Sequence, residues 1–282
     1  MFFPDEEKAK VIGVSLSDPL LAEAFVKVDP QYESVSEIVR KMGYVEGSLY
    51  VIGVALISYM LSSRGEEHWR IASKYAEGGC IKALQEFVTK SPSINWLRDQ
   101  RKKRVELYVS KALPSLREQL QKNEVDLDTI HLELARLLKA RKEDKTVVFA
   151  IKMLYYSLLS SGKGFHGGID IPIPVDYRVS LVSFTSGLFR GWSCGEDLRR
   201  LAREARTRQK ETIIRLWKIV AEVAGKPPFL LDSIVWVTGR CIDEHLSNPG
   251  LIERCLGEKY GISEYHTRTV RILWSTLEEC LG

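Results

Sequence analysis

The sequence predicts an all-α protein of two helical lobes with a cleft between them, on three observations. Apolar residues recur at helical spacing along most of the chain. No run alternates with period two between hairpin turns, so a sheet is not expected. The tetrapeptide Gly225-Lys226-Pro227-Pro228 is a strong helix stop, because proline cannot continue a helix.

Each element follows from its own residues. Leu49 to Leu61 is nearly all apolar but only about a dozen residues long, against the roughly 20 that a membrane span needs. It also holds Gly53, Ser58 and Tyr59, and so reads as a buried core helix. Asp128 is placed to cap a helix in which Leu127, Ile130, Leu134, Leu137 and Leu138 form one apolar stripe. The polar turn Arg141-Lys142-Glu143-Asp144 ends where Lys145 opens a second helix, with Val148, Ile151, Tyr155 and Leu158 inward. Glu196 to Val223 reads as one long helix with a solvated basic face, and another helix begins near Phe229. Longer loops fall at Ser161 to Asp170 and at Leu246 to Gly250. The expected divisions are an N-terminal lobe over 1–125, a hairpin-containing region over 126–245 and C-terminal helices over 246–282.

Composition narrows the class. The 282 residues are 45% hydrophobic and 28% charged, which is globular rather than disordered. The net charge of +4, from 41 basic and 37 acidic residues, neither requires nor excludes a nucleic-acid partner, since a duplex reader needs only a local basic face. Five cysteines stand at 80, 194, 241, 255 and 280 with no Cys-x-x-Cys pair, so no zinc or iron–sulfur site is indicated and a reducing, intracellular compartment is expected. The start, Met1 to Glu7, turns acidic at once and lacks a signal peptide's charge pattern. The five histidines show no His-x-x-x-His or Glu-x-x-His spacing, so no metal site is expected.

Three constellations carry chemistry. Lys145, Phe149, Lys152 and Tyr156 share one helix face, which puts two cations beside two aromatic rings. Ile171-Pro172-Ile173-Pro174-Val175 is stiff and extended, and delivers Asp176 to a helix N-terminus, where the dipole favours a carboxylate. An amine and a carboxylate can together attack and stabilise an electron-poor sugar carbon, which is the chemistry of base excision. Asp232, Trp236 and Arg240 lie on one helix face, and a carboxylate beside an indole suits a purine that stacks and donates ring N–H bonds. A basic run, Arg101 to Arg104, offers phosphate contacts. Taken singly, each has an ordinary explanation: a surface lysine, a helix cap, a core tryptophan, a solvated helix face.

Asp29 to Tyr32, Ala55 to Tyr59, Gly65 to Trp69, Lys145 to Phe149, Ile171 to Val179 and the Asp232/Trp236 helix occur in that order. Together they resemble the archaeal 8-oxoguanine DNA glycosylase/lyase family, a divergent branch of the helix-hairpin-helix glycosylases, over Val28 to Arg240. The resemblance implies a helix-hairpin-helix DNA glycosylase-like fold, with Lys145 as Schiff-base nucleophile and Asp176 as catalytic aspartate. It implies that Gln31, Ser58, Trp69, Phe149, Lys152, Pro174, Asp232 and Trp236 surround an everted base. The hairpin departs from the superfamily in lacking a glycine-rich turn.

The implied substrate is double-stranded DNA containing 8-oxoguanine, with single-stranded DNA left open. Lys145 must be neutral to attack C1′, which burial or a neighbouring cation such as Lys152 would favour. The resulting imine makes the C2′ proton acidic, so β-elimination nicks the strand. Two alternatives stay open: a non-catalytic DNA-binding module, and a monofunctional glycosylase in which Asp176 activates water. No cofactor, no metal and no membrane partner are expected, and the chain is expected to be a cytoplasmic monomer.

Overall fold

The structure, a computed structural model, describes residues 2–281. The chain divides into two compact units, one made of Met1–Asp29 with Pro172–Gly282 and one of Pro30–Ile171. Both are helical bundles, so the all-α expectation holds. In chain order the first helices are α1 (Glu6–Ser15) and α2 (Leu21–Val28). The unit Pro30–Ile171 follows with α3 (Pro30–Met42), α4 (Tyr44–Leu56), α5 (Gly65–Lys74), α6 (Cys80–Lys90), α7 (Arg98–Leu107), α8 (Leu113–Gln121), α9 (Leu127–Leu137) and α10 (Lys145–Ser161). The chain then re-enters the first unit with α11 (Tyr177–Thr185), α12 (Leu198–Arg208), α13 (Lys210–Ala224), α14 (Pro228–Glu244), α15 (Ile252–Tyr260), α16 (Glu264–Val270) and α17 (Ser275–Leu281).

In Pro30–Ile171 the core is built around α4, whose residues from Gly47 to Leu56 are all buried, and α10 packs along it. Gly53 allows the close approach of α6, since a Cβ there would sit 2.6 Å from Leu84 Cδ1. The apolar run Leu49 to Leu61 is therefore a core helix as expected, and no helix among the described residues is long and apolar enough to cross a membrane. Buried tyrosines satisfy their hydroxyls on backbone: Tyr50 donates to the Ala72 carbonyl at 2.9 Å and Tyr108 to that of Leu49 at 2.8 Å.

The other unit packs α1 on α13 and places α11 between α12 and α14. Trp217 is fully buried there and donates its indole N–H to Ser183 Oγ at 3.0 Å. Two disulfides, Cys194–Cys280 and Cys241–Cys255, span sequence separations of 86 and 14. On loop-closure grounds the longer one contributes about 4.6 kcal/mol and the shorter about 3 kcal/mol. Only Cys80 is free, and burial pushes its thiol up.

Several expectations need correction. The cysteines are not all free thiols, because pairs distant in sequence are brought together. Two short strand pairs exist: β1 (Phe3–Pro4) runs antiparallel to β4 (Phe189–Arg190), and β2 (Glu124–Asp126) runs parallel to β3 (Gly164–His166). The loop Ser161 to Asp170 thus contains a strand. Asp126, not Asp128, caps α9, accepting from Asp128 N and Thr129 N, while Asp128 accepts from Gly168 N at 3.0 Å. The helix expected over Glu196 to Val223 breaks at Gln209, whose backbone (φ −119°, ψ 18°) is not helical. The stop at Gly225 is observed, with the glycine left-handed at φ 65°. The two units do not follow the expected divisions at 125 and 245. Residues 2–29 pack with the C-terminal half, and β2–β3 ties the chain before α9 to the chain after α10.

Candidate active site

The α9–α10 hairpin closes without glycine. Lys139 takes the left-handed conformation (φ 51°) that ends α9, the position glycine usually fills. The Asp144 carboxylate accepts from Arg141 N at 3.1 Å and Arg141 Nε at 3.4 Å. His131 Nε2 donates to the Lys142 carbonyl at 2.8 Å from below the turn. This backbone turn and these two side chains set the start of α10, and Lys145 stands there as its first residue, exposed.

Along α10 the site face passes from exposed Lys145 through half-buried Phe149 to fully buried Lys152 and Tyr156. Phe149 meets the buried Trp69 ring edge-on at 6.2 Å between centroids. Lys152 Nζ lies 5.4 Å from the Tyr156 ring centroid, and Tyr156 meets Tyr32 edge-on at 5.5 Å. Gln31, next to Tyr32 on α3, is buried. Ser58 is half-buried just past α4 and contacts His68, the residue before Trp69. Six predicted site residues therefore lie within Pro30–Ile171, with Phe149 and Trp69 in direct ring contact.

The remaining four lie in the other unit. Ile171, Ile173 and Val175 are buried with Pro174 among them, and the strap ends in Asp176. Asp176 is the N-cap of α11: its Oδ1 accepts from Val179 N at 3.0 Å. On α14, Asp232 and Trp236 are buried. Gly239 lets α14 lie tight against α11, since a Cβ there would be 3.1 Å from Val182 Cγ2 and 3.4 Å from Arg178 Cβ. That contact seats the Arg178 guanidinium over Trp236, 4.1 Å from the ring centroid. Arg240 turns away to Glu244, 3.3 Å distant.

The basic run 101–104 is not a phosphate-facing surface as a whole. Arg101 is fully buried and donates to the carbonyls of Ile57 at 3.1 Å, Ile94 at 3.5 Å and Met60 at 3.2 Å, and also to that of Tyr59. Arg104 donates to Thr146 Oγ1 at 3.3 Å, one residue beyond Lys145, and burial lowers its pKa. Lys103 is exposed and Lys102 half-buried.

Sequence reasoning missed Arg178, Arg101 and His68. Each sits inside a stretch it had singled out, but helix phase alone does not say that Arg101 turns inward.

Glu244, His245 and Cys255 bring possible metal-ligand atoms within 4.8 Å of one another, a grouping the sequence spacing did not show. Cys255 is held in its disulfide, and Glu244 is paired to Lys259 at 2.7 Å, so these groups are engaged within the protein.

Comparisons with known proteins place the chain in a family. The profile of the AGOG N-glycosylase/DNA lyase family matches residues 15–271. An N-glycosylase/DNA lyase of Pyrobaculum aerophilum is 35% identical over 220 residues, covering 76% of this chain and 78% of the relative. Those of Aeropyrum pernix and Methanopyrus kandleri are 33% and 30% identical, over 76% and 79% of this chain and 75% and 85% of theirs. The crystal structure of the Pyrobaculum aerophilum 8-oxoguanine DNA glycosylase complexed with 8-oxoguanosine superposes with a TM-score of 0.73 at 27% identity, covering 96% of this chain and 97% of that one. The chain therefore belongs to the AGOG N-glycosylase/DNA lyase family.

Proposed function

We propose that this protein excises 8-oxoguanine from DNA and then cleaves the strand by β-elimination, with Lys145 as the Schiff-base nucleophile. The observation that carries the reading is the position of Lys145: first residue of α10, exposed, on a hairpin braced by His131 and Asp144. The amine attacks C1′ as the bond to the base breaks; the C1′–O4′ bond then opens, with a proton passing to O4′, and the resulting iminium acidifies the C2′ proton. Asp176 takes up the amine's proton and stabilises positive charge at the sugar in the transition state. Its cap bond uses Oδ1, which fixes the carboxylate's direction.

The target base must leave the stack before its glycosidic bond is reachable. Trp69, Phe149 and Trp236 supply stacking surfaces. Gln31, Ser58, Lys152, Pro174 and Asp232 contact the base edge or close the pocket. The substrate is lesion-bearing duplex, with single strands a second form to be tried. The protein works as a monomer beside the chromosome, inside the cell. Disulfides within a cell are at home in heat-loving archaea, the one broad exception to the reducing rule.

The test is borohydride trapping on a duplex with one 8-oxoguanine, using the native chain and Lys145→Gln in parallel. The expected result is a covalent protein–DNA adduct with the native chain only. Base release without an adduct would replace the Schiff base with water activated by Asp176. Binding without base release would leave a non-catalytic DNA-binding module.

A further inference from the structure

Two arginines of the basic run meet opposite fates. Arg101 spends its guanidinium on four backbone carbonyls. Arg104 is half-buried, yet one hydrogen bond holds it: Nη2 donates to Thr146 Oγ1 at 3.3 Å. Its Nε is shut off from solvent and has no partner. The acidic groups close enough to act on its charge are the Tyr59 hydroxyl and the Asp144 carboxyl. Neither compensates it. Burial raises the Tyr59 pKa, so that hydroxyl is neutral near pH 7. The Asp144 carboxylate is turned onto Arg141, accepting from its N at 3.1 Å and its Nε at 3.4 Å.

A guanidinium does not shed its proton near neutral pH. The fold therefore carries a half-buried cation that has open donors and no anion, at a cost to its own stability. A local rule broken without compensation inside the protein points to a ligand that supplies the compensation. The place of the charge names that ligand. Thr146 follows Lys145 in the first turn of α10, so Arg104 on α7 and Lys145 on α10 present their cations side by side within Pro30–Ile171. A sugar whose C1′ lies in reach of the Lys145 amine carries a phosphodiester on its 5′ and its 3′ side. The planar fork of a guanidinium matches phosphate oxygens.

We propose that Arg104 holds a phosphodiester flanking the damaged nucleotide, so that the substrate supplies the counter-ion this arginine lacks in the free protein. The inference rests on the reading of Lys145 as the nucleophile. Thr146 steers the guanidinium, the guanidinium fixes the strand, and the sugar is kept opposite the amine while its bonds change.

The test uses a duplex with a tetrahydrofuran in place of the damaged nucleotide, an abasic analogue that cannot form an imine. The full chain is compared as native, Arg104→Gln and Arg104→Lys. Glutamine keeps a donor for Thr146 but drops the charge, and lysine keeps the charge. Arg104→Gln should melt at or above the native temperature, because the charge it loses has no partner in the free protein. Its affinity should fall about tenfold, and the slope of log K against log salt should shrink by about one. Arg104→Lys should retain the native slope. Duplexes with a neutral methylphosphonate on the 5′ or the 3′ side of the analogue then identify the phosphate. One of the two should weaken the native chain about tenfold and leave Arg104→Gln unaffected.

An Arg104→Gln protein that melts well below the native chain makes Arg104 a structural residue and overturns the inference. Native affinity and native salt slope in that variant overturn it too. So does a neutral linkage that, on either side, weakens the variant as much as the native chain. None of these results alters borohydride trapping by the native chain, so the proposed function would stand. A native chain that forms no adduct and binds the analogue no better than an undamaged duplex overturns both.

Discussion

The Arg178 guanidinium sits over the Trp236 ring, 4.1 Å from its centroid. The close packing of α11 on α14 at Gly239 sets this contact. An arginine over an indole contributes about 1 kcal/mol, more when desolvated. It also holds the tryptophan against tipping, which would present the proposed stacking surface already in place.

Removing that contact should cost affinity more than stability. Arg178→Ala is expected to weaken binding to an 8-oxoguanine duplex about three- to tenfold. Fluorescence anisotropy reads the affinity, and a thermal melt shows whether the fold has changed. Equal affinities for the two proteins would mean that Trp236 is held by its core packing alone.

Asp176 has two roles that one substitution can separate. It caps α11 through Val179 N at 3.0 Å, and it is the proposed catalytic carboxylate. Asparagine caps a helix about as well as aspartate but carries no charge. Asp176→Asn should therefore melt within a few degrees of the native protein while single-turnover excision falls at least about 100-fold. A variant that loses stability and rate together would reduce Asp176 to a cap.

Arg101 and Lys103 stand two residues apart in the same basic run but should behave as opposites. Arg101 is buried on four backbone carbonyls, and lysine cannot reproduce its planar fork. Arg101→Lys is expected to lower stability by about 3 kcal/mol, measured by urea unfolding, and to slow excision because the Ser58 loop loosens. Lys103→Ala should leave stability unchanged within about 0.5 kcal/mol, as exposed substitutions usually do.

Acid should destabilise the protein partly through its buried histidines. Burial lowers the pKa of His68 from 6.5 to about 3 and lowers that of His131 as well. As pH falls below about 6.5, the unfolded chain takes up protons at these rings while the folded chain does not. Stability is then lost with falling pH, for His68 from 6.5 down to about 3, and is independent of this group above 6.5. His68→Gln should flatten the curve between pH 6 and 4.5 by up to about 1.4 kcal/mol per pH unit. Urea midpoints across that range give the slope, and parallel curves would show that His68 is protonated in the folded state. Glu46, lowered chiefly by its hydrogen bond from Arg117, acts in the same direction at lower pH.

The local placement of several candidate site residues was legible because it depends on recognisable local signals. Lys145 follows a polar turn, Asp176 ends a proline strap, and Trp69 and Trp236 lie in helices of clear phase. Such signals depend on neighbours within a few residues. The helix break at Gln209 and the choice of Asp126 over Asp128 as cap were not legible, since both alternatives satisfy the same local rules and packing decides between them. Arg101 reads as a solvated cation in sequence, and only the four carbonyls that the fold converges on it explain why it is buried.

The sequence by itself determined that the chain is helical, that its longest apolar run is a core helix, and which lysine and aspartate stand at helix starts. Periodicity, proline and capping chemistry act over single turns, so one dimension suffices to read them. The tertiary structure alone decided that residues 2–29 pack with the C-terminal half, that four distant cysteines pair, that Arg178 covers Trp236, and that His68 shares a hydrogen bond with Ser58. These relationships join residues far apart along the chain, most of them by tens of positions. They exist only once burial has removed water and left each polar group to find its partner in the protein.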